Sequence, residues 1–210
     1  MENVKIYFKV SMILLMLLLS STMLFAQQFE EVKEAFSRSY ELEKEGEYSK
    51  ASETMKTVYD ENSYEINLRL GWLAYLSGLF TESIAYYQKA ISLKPISIEA
   101  RFGIAYPASS LGNWEQVINQ YNKILEIDPE NTYANYRLGN IYYGREDFQK
   151  AEKYFEKVVN LYPFDYDAVI MLAWTKLKLE KLREAKVLFQ KALLISPEDE
   201  SAQEGLELIK

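Results

Sequence analysis

"YANYRLGNIYYGREDFQKAEKYFEKVVNLYPFD", residues 133–165, decides the fold. Its apolar and small residues recur at helical spacing, in two runs of about three turns each. The runs part at Arg145-Glu146. The second run stops at Pro163, which cannot continue a helix. Asp165 then stands where a side-chain oxygen can cap the next helix. Outward from this stretch, Pro95, Pro129, Pro163 and Pro197 follow one another at intervals of 34 residues. Self-similarity at such a fixed period means stacked units, none of which can bury its apolar face alone.

Aligning the chain on those prolines brings other columns into register. Ser39, Gly71, Ala105, Gly139 and Ala173 are all small, and Ala51, Ser83, Val117, Ala151 and Ala185 are mostly small. Met55, Tyr87, Tyr121, Phe155 and Phe189 are all large, as are Tyr48, Phe80, Trp114, Phe148 and Leu182. Small columns let helices approach, and large columns fill the space beside them. The helix breaks fall at Glu45-Gly46, Gly78, Leu111-Gly112, Arg145-Glu146 and Glu180-Lys181, where glycine suits a C-cap. Asn131, Asp165 and Asp199 are the expected N-caps. The first unit joins the second through a two-residue deletion near "YDENSYE" (59–65), where no proline occurs.

Leu138-Gly139, Tyr142, Phe148, Ala151, Phe155, Leu161 and Pro163 make the quoted stretch resemble a tetratricopeptide repeat (TPR) over its whole length. The other units resemble it more loosely. Five units are expected, at about 32–63, 64–97, 98–131, 132–165 and 166–199, followed by a short capping helix over 200–210. The resemblance implies an all-α, right-handed α-solenoid of helix-turn-helix units. It also implies a concave groove lined by the first helix of each unit, and a scaffold that binds a protein or peptide partner without catalysis.

Three groove-facing columns follow from the resemblance, at the i, i+4, i+7 spacing of one helix face. They are Phe36, Leu68, Phe102, Tyr136 and Ile170; Tyr40, Trp72, Tyr106, Asn140 and Trp174; and Glu43, Tyr75, Ser109, Tyr143 and Leu177. Family members often carry Asn in the middle column, where this chain has four aromatic residues. The candidate partner-binding residues are therefore Phe36, Tyr40, Trp72, Tyr75, Phe102, Tyr106, Tyr136, Asn140, Tyr143 and Trp174. Trp114 is expected in the core with Tyr48, Phe148, Phe155 and Phe189. Lys44, Asn140 and Lys178 are too scattered for the carboxylate clamp of some TPR proteins. An aromatic groove suits an apolar peptide or an amphipathic helix. The alternative is a non-protein ligand such as a glycan, stacked on the rings and held by Asn140, Ser109, Ser110 and Arg137.

Composition narrows the function further. The 210 residues contain no His and no Cys, which excludes a Cys/His zinc site and a Ser-His or Cys-His nucleophile. No phosphate loop or calcium loop occurs. No cofactor is expected. A net charge of −7 argues against nucleic-acid binding. At the N-terminus, Lys5 and Lys9 precede an apolar run from Val10 to Leu19, and Leu24-Phe25-Ala26 follow. That layout is a secretory signal over residues 1–26, cut after Ala26, with an uncleaved membrane anchor as the alternative. It predicts export to the periplasm or cell envelope.

One stretch departs from the repeat. In "RFGIAYPASSLG" (101–112), Pro107 falls inside the first helix of the central unit. Its register with "RLGNIYYGRED" (137–147) predicts a helix that bends at Gly103 and Pro107 without breaking.

Overall fold

The computed structural model describes residues 27–209. The expected signal segment, residues 1–26, lies outside them. The described chain is helical throughout and divides into two compact units at Pro95/Ile96. Unit 1 holds α1 (27–44), α2 (Tyr48–Lys56), α3 (Tyr64–Leu76) and α4 (Phe80–Leu93). Unit 2 holds α5 (Ile98–Ser110), α6 (Trp114–Ile127), α7 (Thr132–Gly144), α8 (Phe148–Leu161), α9 (Tyr166–Lys178), α10 (Leu182–Ile195) and α11 (Glu200–Glu207).

The same local devices punctuate both units. Ser63, Ser97, Asn131, Asp165 and Asp199 cap α3, α5, α7, α9 and α11, each side chain accepting from the backbone N–H three residues on. Each such cap is worth about 1 kcal/mol. The turn inside every helix pair uses one left-handed residue: Gly46, Gly78, Gly112, Glu146 and Glu180. The last two adopt φ near +60° without being glycine. Unit 1 also shows where the two-residue deletion is absorbed. Helix α2 is 9 residues long, against 14 for α4, α6, α8 and α10.

The small and large columns meet as expected. Gly139 lies so close to the buried Phe155 that a Cβ there would stand 2.6 Å from the ring, and Gly71 faces Tyr87 at 3.0 Å. Phe155 and Phe189 centre the core of unit 2, and Met55, Leu70 and Leu73 that of unit 1. The Lys176 ammonium on α9 is buried and donates to Glu156 on α8 and Glu184 on α10, with Glu152 of α8 also 2.6 Å away. Burial alone would lower its pKa, but the three carboxylates outweigh that and raise it, so the group stays charged and ties three helices together.

Helix α5 runs unbroken from Ile98 to Ser110 with Pro107 buried inside it. The Leu111 N–H donates to the Pro107 carbonyl at 3.0 Å, so the helical ladder resumes after the proline.

Candidate functional site

Tyr106 leaves α5 on the turn before Pro107, and Ser109 follows one turn later on the same face. With Trp114 at the start of α6 and Tyr133, Arg137 and Asn140 along α7, they line a cavity of about 570 Å³ in unit 2. That size suits a small ligand or a few side chains.

The cavity has a dry floor and a wet rim. Tyr121 forms part of the floor and is only 6% exposed. Burial pushes its phenol up to about 12, with the Tyr133 phenol adding and Arg137 opposing. At the rim, Trp114 is 47% exposed and Tyr106 and Tyr133 are 37% exposed each. Phe102 backs the wall, with its ring 5.0 Å from that of Tyr133, edge to face, and 6.1 Å from that of Tyr121. The Arg137 guanidinium lies 4.9 Å from the Tyr133 ring and donates to the Tyr133 hydroxyl at 2.9 Å. The Tyr106 and Tyr133 hydroxyls are 3.4 Å apart. The Ser109 hydroxyl donates back to the Tyr106 carbonyl at 2.7 Å. Arg145, also in the lining, is paired with the exposed Glu115 at 3.0 Å.

Of the ten candidate residues, Tyr106 and Asn140 meet at this cavity and Phe102 supports it. The others are engaged locally. Tyr136 packs on Phe155, Tyr143 on Phe148 and Trp174 on Phe189. The Trp174 indole donates to Ser201 at 2.9 Å. In unit 1, Phe36 packs against the core and lies 6.3 Å from Tyr40, and Tyr75 sits between Trp72 and Phe80. Tyr40 lies under the guanidinium of the buried Arg69, 4.0 Å from its ring centre. Arg69 is paired with Glu43 and donates to Ser39 at 3.0 Å. The other Glu43 oxygen accepts from the Trp72 indole at 2.8 Å.

The core assignment of Trp114 is corrected. Its column opens each second helix, where the neighbouring helix covers only part of a side chain, and Leu182 in the same column is also 45% exposed. Trp114, Tyr121 and Tyr133 are the site residues that the groove columns missed. Tyr133 lies one place past the N1 residue of α7, outside those columns. Among the described residues no cluster of three or more acidic side chains is placed to hold a metal ion. None of the described helices is long and apolar enough to cross a membrane.

Family models described as Tetratricopeptide repeat match residues 36–97, 132–165 and 166–199, and one described as TPR repeat matches 110–144. None of these matches includes residues 98–109. The TPR repeat-containing protein YpiA of Bacillus subtilis is 27% identical over 157 residues, which is 73% of this chain and 37% of that protein. The human peptidyl-prolyl cis-trans isomerase FKBP4 is 28% identical over 70% of this chain and 32% of its own length. The chain thus spans less than two fifths of these curated relatives. A tetratricopeptide repeat protein from Parabacteroides merdae superimposes with a TM-score of 0.72 at 23% identity, over 86% of this chain and 72% of that one. MamA from Desulfovibrio magneticus gives 0.68 at 17% identity, over 81% and 97%. At these identities the likeness is one of fold.

Proposed function

The chain belongs to the tetratricopeptide repeat family, and from that premise we propose that it is an exported, non-catalytic binding protein for a protein or peptide partner. The cavity between α5, α6 and α7 carries this reading, because it joins exposed aromatic rings to hydrogen-bonding groups at its rim. Large aromatic residues at the centre of a recessed patch are the usual anchors of an interface. Partner recovery by the purified chain tests it against Tyr106→Ala/Trp114→Ala. Loss of the partner with an unchanged melting temperature is expected. Undiminished recovery by the folded double variant overturns the site.

Export rests on Lys5, Lys9 and the apolar run behind them. N-terminal sequencing of the protein recovered from cells should begin at Gln27. A chain that retains Met1 overturns cleavage. A glycan is the second reading, favoured by Trp114 and Tyr106 standing beside Arg137 and Asn140 at the same cavity. Absence of any enrichment on a glycan array removes it.

A further inference from the structure

The repeat places the cavity in register with a buried ion pair in unit 1. There Ser39, Tyr40 and Glu43 on α1 face Arg69 and Trp72 on α3. The corresponding residues in unit 2 are Ala105, Tyr106 and Ser109 on α5, and Arg137 and Asn140 on α7. In unit 1 a single side-chain carboxylate accepts from two donors at once, Nη1 of Arg69 and the Trp72 indole N–H, while Nη2 of Arg69 has no hydrogen-bond partner among the described residues. Unit 2 keeps two donors in the same columns, the Arg137 guanidinium and the Asn140 amide. It lacks the acceptor, because Glu43 is replaced by Ser109, whose hydroxyl is turned to its own backbone. Arg137 has a phenol as its partner, and Asn140 makes no side-chain hydrogen bond among the described residues. The corresponding place between α7 and α9 has no such donor. Met171 stands where the arginine would be, and with Trp174 it packs against the core.

We infer that the α5–α7 cavity takes a side-chain carboxylate from a partner peptide, which reaches Arg137 and Asn140 as Glu43 reaches Arg69 and Trp72, while an adjoining apolar residue lies on Tyr106 and Trp114. This rests on the peptide-binding reading above and adds the chemistry of the ligand. A guanidinium presents a planar fork that matches a carboxylate, and such charge-assisted bonds are about twice as strong as neutral ones. The aromatic walls supply apolar contact beside the ion pair.

The test uses the full chain and end-blocked hexapeptides that carry one glutamate beside a tryptophan and a leucine. Matched peptides replace the glutamate by glutamine, or keep the glutamine and add a free C-terminus. Isothermal titration should favour the glutamate peptide over its glutamine partner by about two- to fivefold. Arg137→Gln should erase that preference by lowering glutamate-peptide affinity more than glutamine-peptide affinity. Ser109→Glu should lower glutamate-peptide affinity by about two- to fivefold, because the protein then supplies its own carboxylate. Equal affinities for the two blocked peptides, no binding of either, or a preference that survives Arg137→Gln each overturn the inference. Tightest binding of the free C-terminus overturns the side-chain source. Equal binding that is lost in Trp114→Ala would leave the peptide-binding reading standing while the carboxylate falls. If Tyr106→Ala/Trp114→Ala also leaves partner recovery undiminished, both fall.

Discussion

The Arg69 and Arg137 places are the same position of the repeat, solved in two ways. Around Arg69 the chain supplies a carboxylate, a hydroxyl and a phenol face, the carboxylate is held in turn by an indole, and the guanidinium is buried. Around Arg137 it supplies phenols and leaves about 570 Å³ open. Three exchanges account for this: Glu43 against Ser109, Ser39 against Ala105 and Trp72 against Asn140. The turns of the helix pairs use the same left-handed conformation, so side chains carry much of the difference, together with Pro107 inside α5. A repeat thus acquires a cavity by deleting the partners of an arginine while keeping the arginine.

The sharpest way to break the contrast is to unpair the buried arginine. Glu43→Gln leaves the Arg69 guanidinium, 5% exposed, without its carboxylate. Breaking one half of a buried ion pair costs about 3–5 kcal/mol. Glu43 itself is 26% exposed, so the lower end, about 3 kcal/mol, is expected in chemical denaturation. A loss below about 0.5 kcal/mol, the range of an ordinary surface change, would mean that Tyr40 and Ser39 hold Arg69 unaided.

The next variant works on the open place from beneath. Pro107 lies in the column of Leu73, which is fully buried in unit 1. Proline there removes the bond to the Gly103 carbonyl and costs up to about 3 kcal/mol. Pro107→Leu should recover part of this, about 1–2 kcal/mol, with a higher melting temperature. It should also move Tyr106, seen as a changed affinity for whatever the cavity binds. A lower melting temperature would show that the wedge shape of Pro107 is itself part of the packing.

Much of this architecture is legible in the residues and some of it is not. The 34-residue period, the small column against the large one, and the caps at Asn131, Asp165 and Asp199 follow from rules that act within a few residues or one helix face. Glu146 and Glu180 take a left-handed turn that glycine would take at less cost, and only their register with Gly78 and Gly112 hints at it. The candidate site is harder to read because a column says which way a side chain faces and nothing about what faces it. Tyr40, Trp72, Tyr106 and Trp174 are one column. Yet Tyr106 lines a cavity, Trp72 is tied to Glu43, Trp174 to Ser201, and Tyr40 lies under Arg69. Trp114 shares its column with Phe80 and Phe148, and differs in standing beside the space that Ser109 and Asn140 fail to fill.

Closing the open place gives a smaller change of opposite sign. Ser109→Glu restores the carboxylate that the repeat has in unit 1. A partly exposed pair with Arg137 is worth about 0.5–1 kcal/mol of added stability. The gain should vanish in the double variant with Arg137→Gln, which makes the pair a double-mutant cycle. A gain that persists without Arg137 would locate it elsewhere on α5.

The smallest change in stability comes from Arg137→Gln, and it tells the most about the contrast. Arg137 is exposed, and its protein partners are the hydroxyl and ring of Tyr133. Glutamine removes one charge-assisted bond at a solvent-facing rim, so unfolding should shift by no more than about 0.5 kcal/mol. The matching change at Arg69 removes a group bonded to Glu43 and Ser39 and stacked on Tyr40, and should cost several times more. Two arginines at one position of the repeat would then differ in what they serve, one the fold and the other a ligand. Equal losses at both would mean that Arg137 is held as tightly as Arg69 and that the cavity is a packing defect rather than a site.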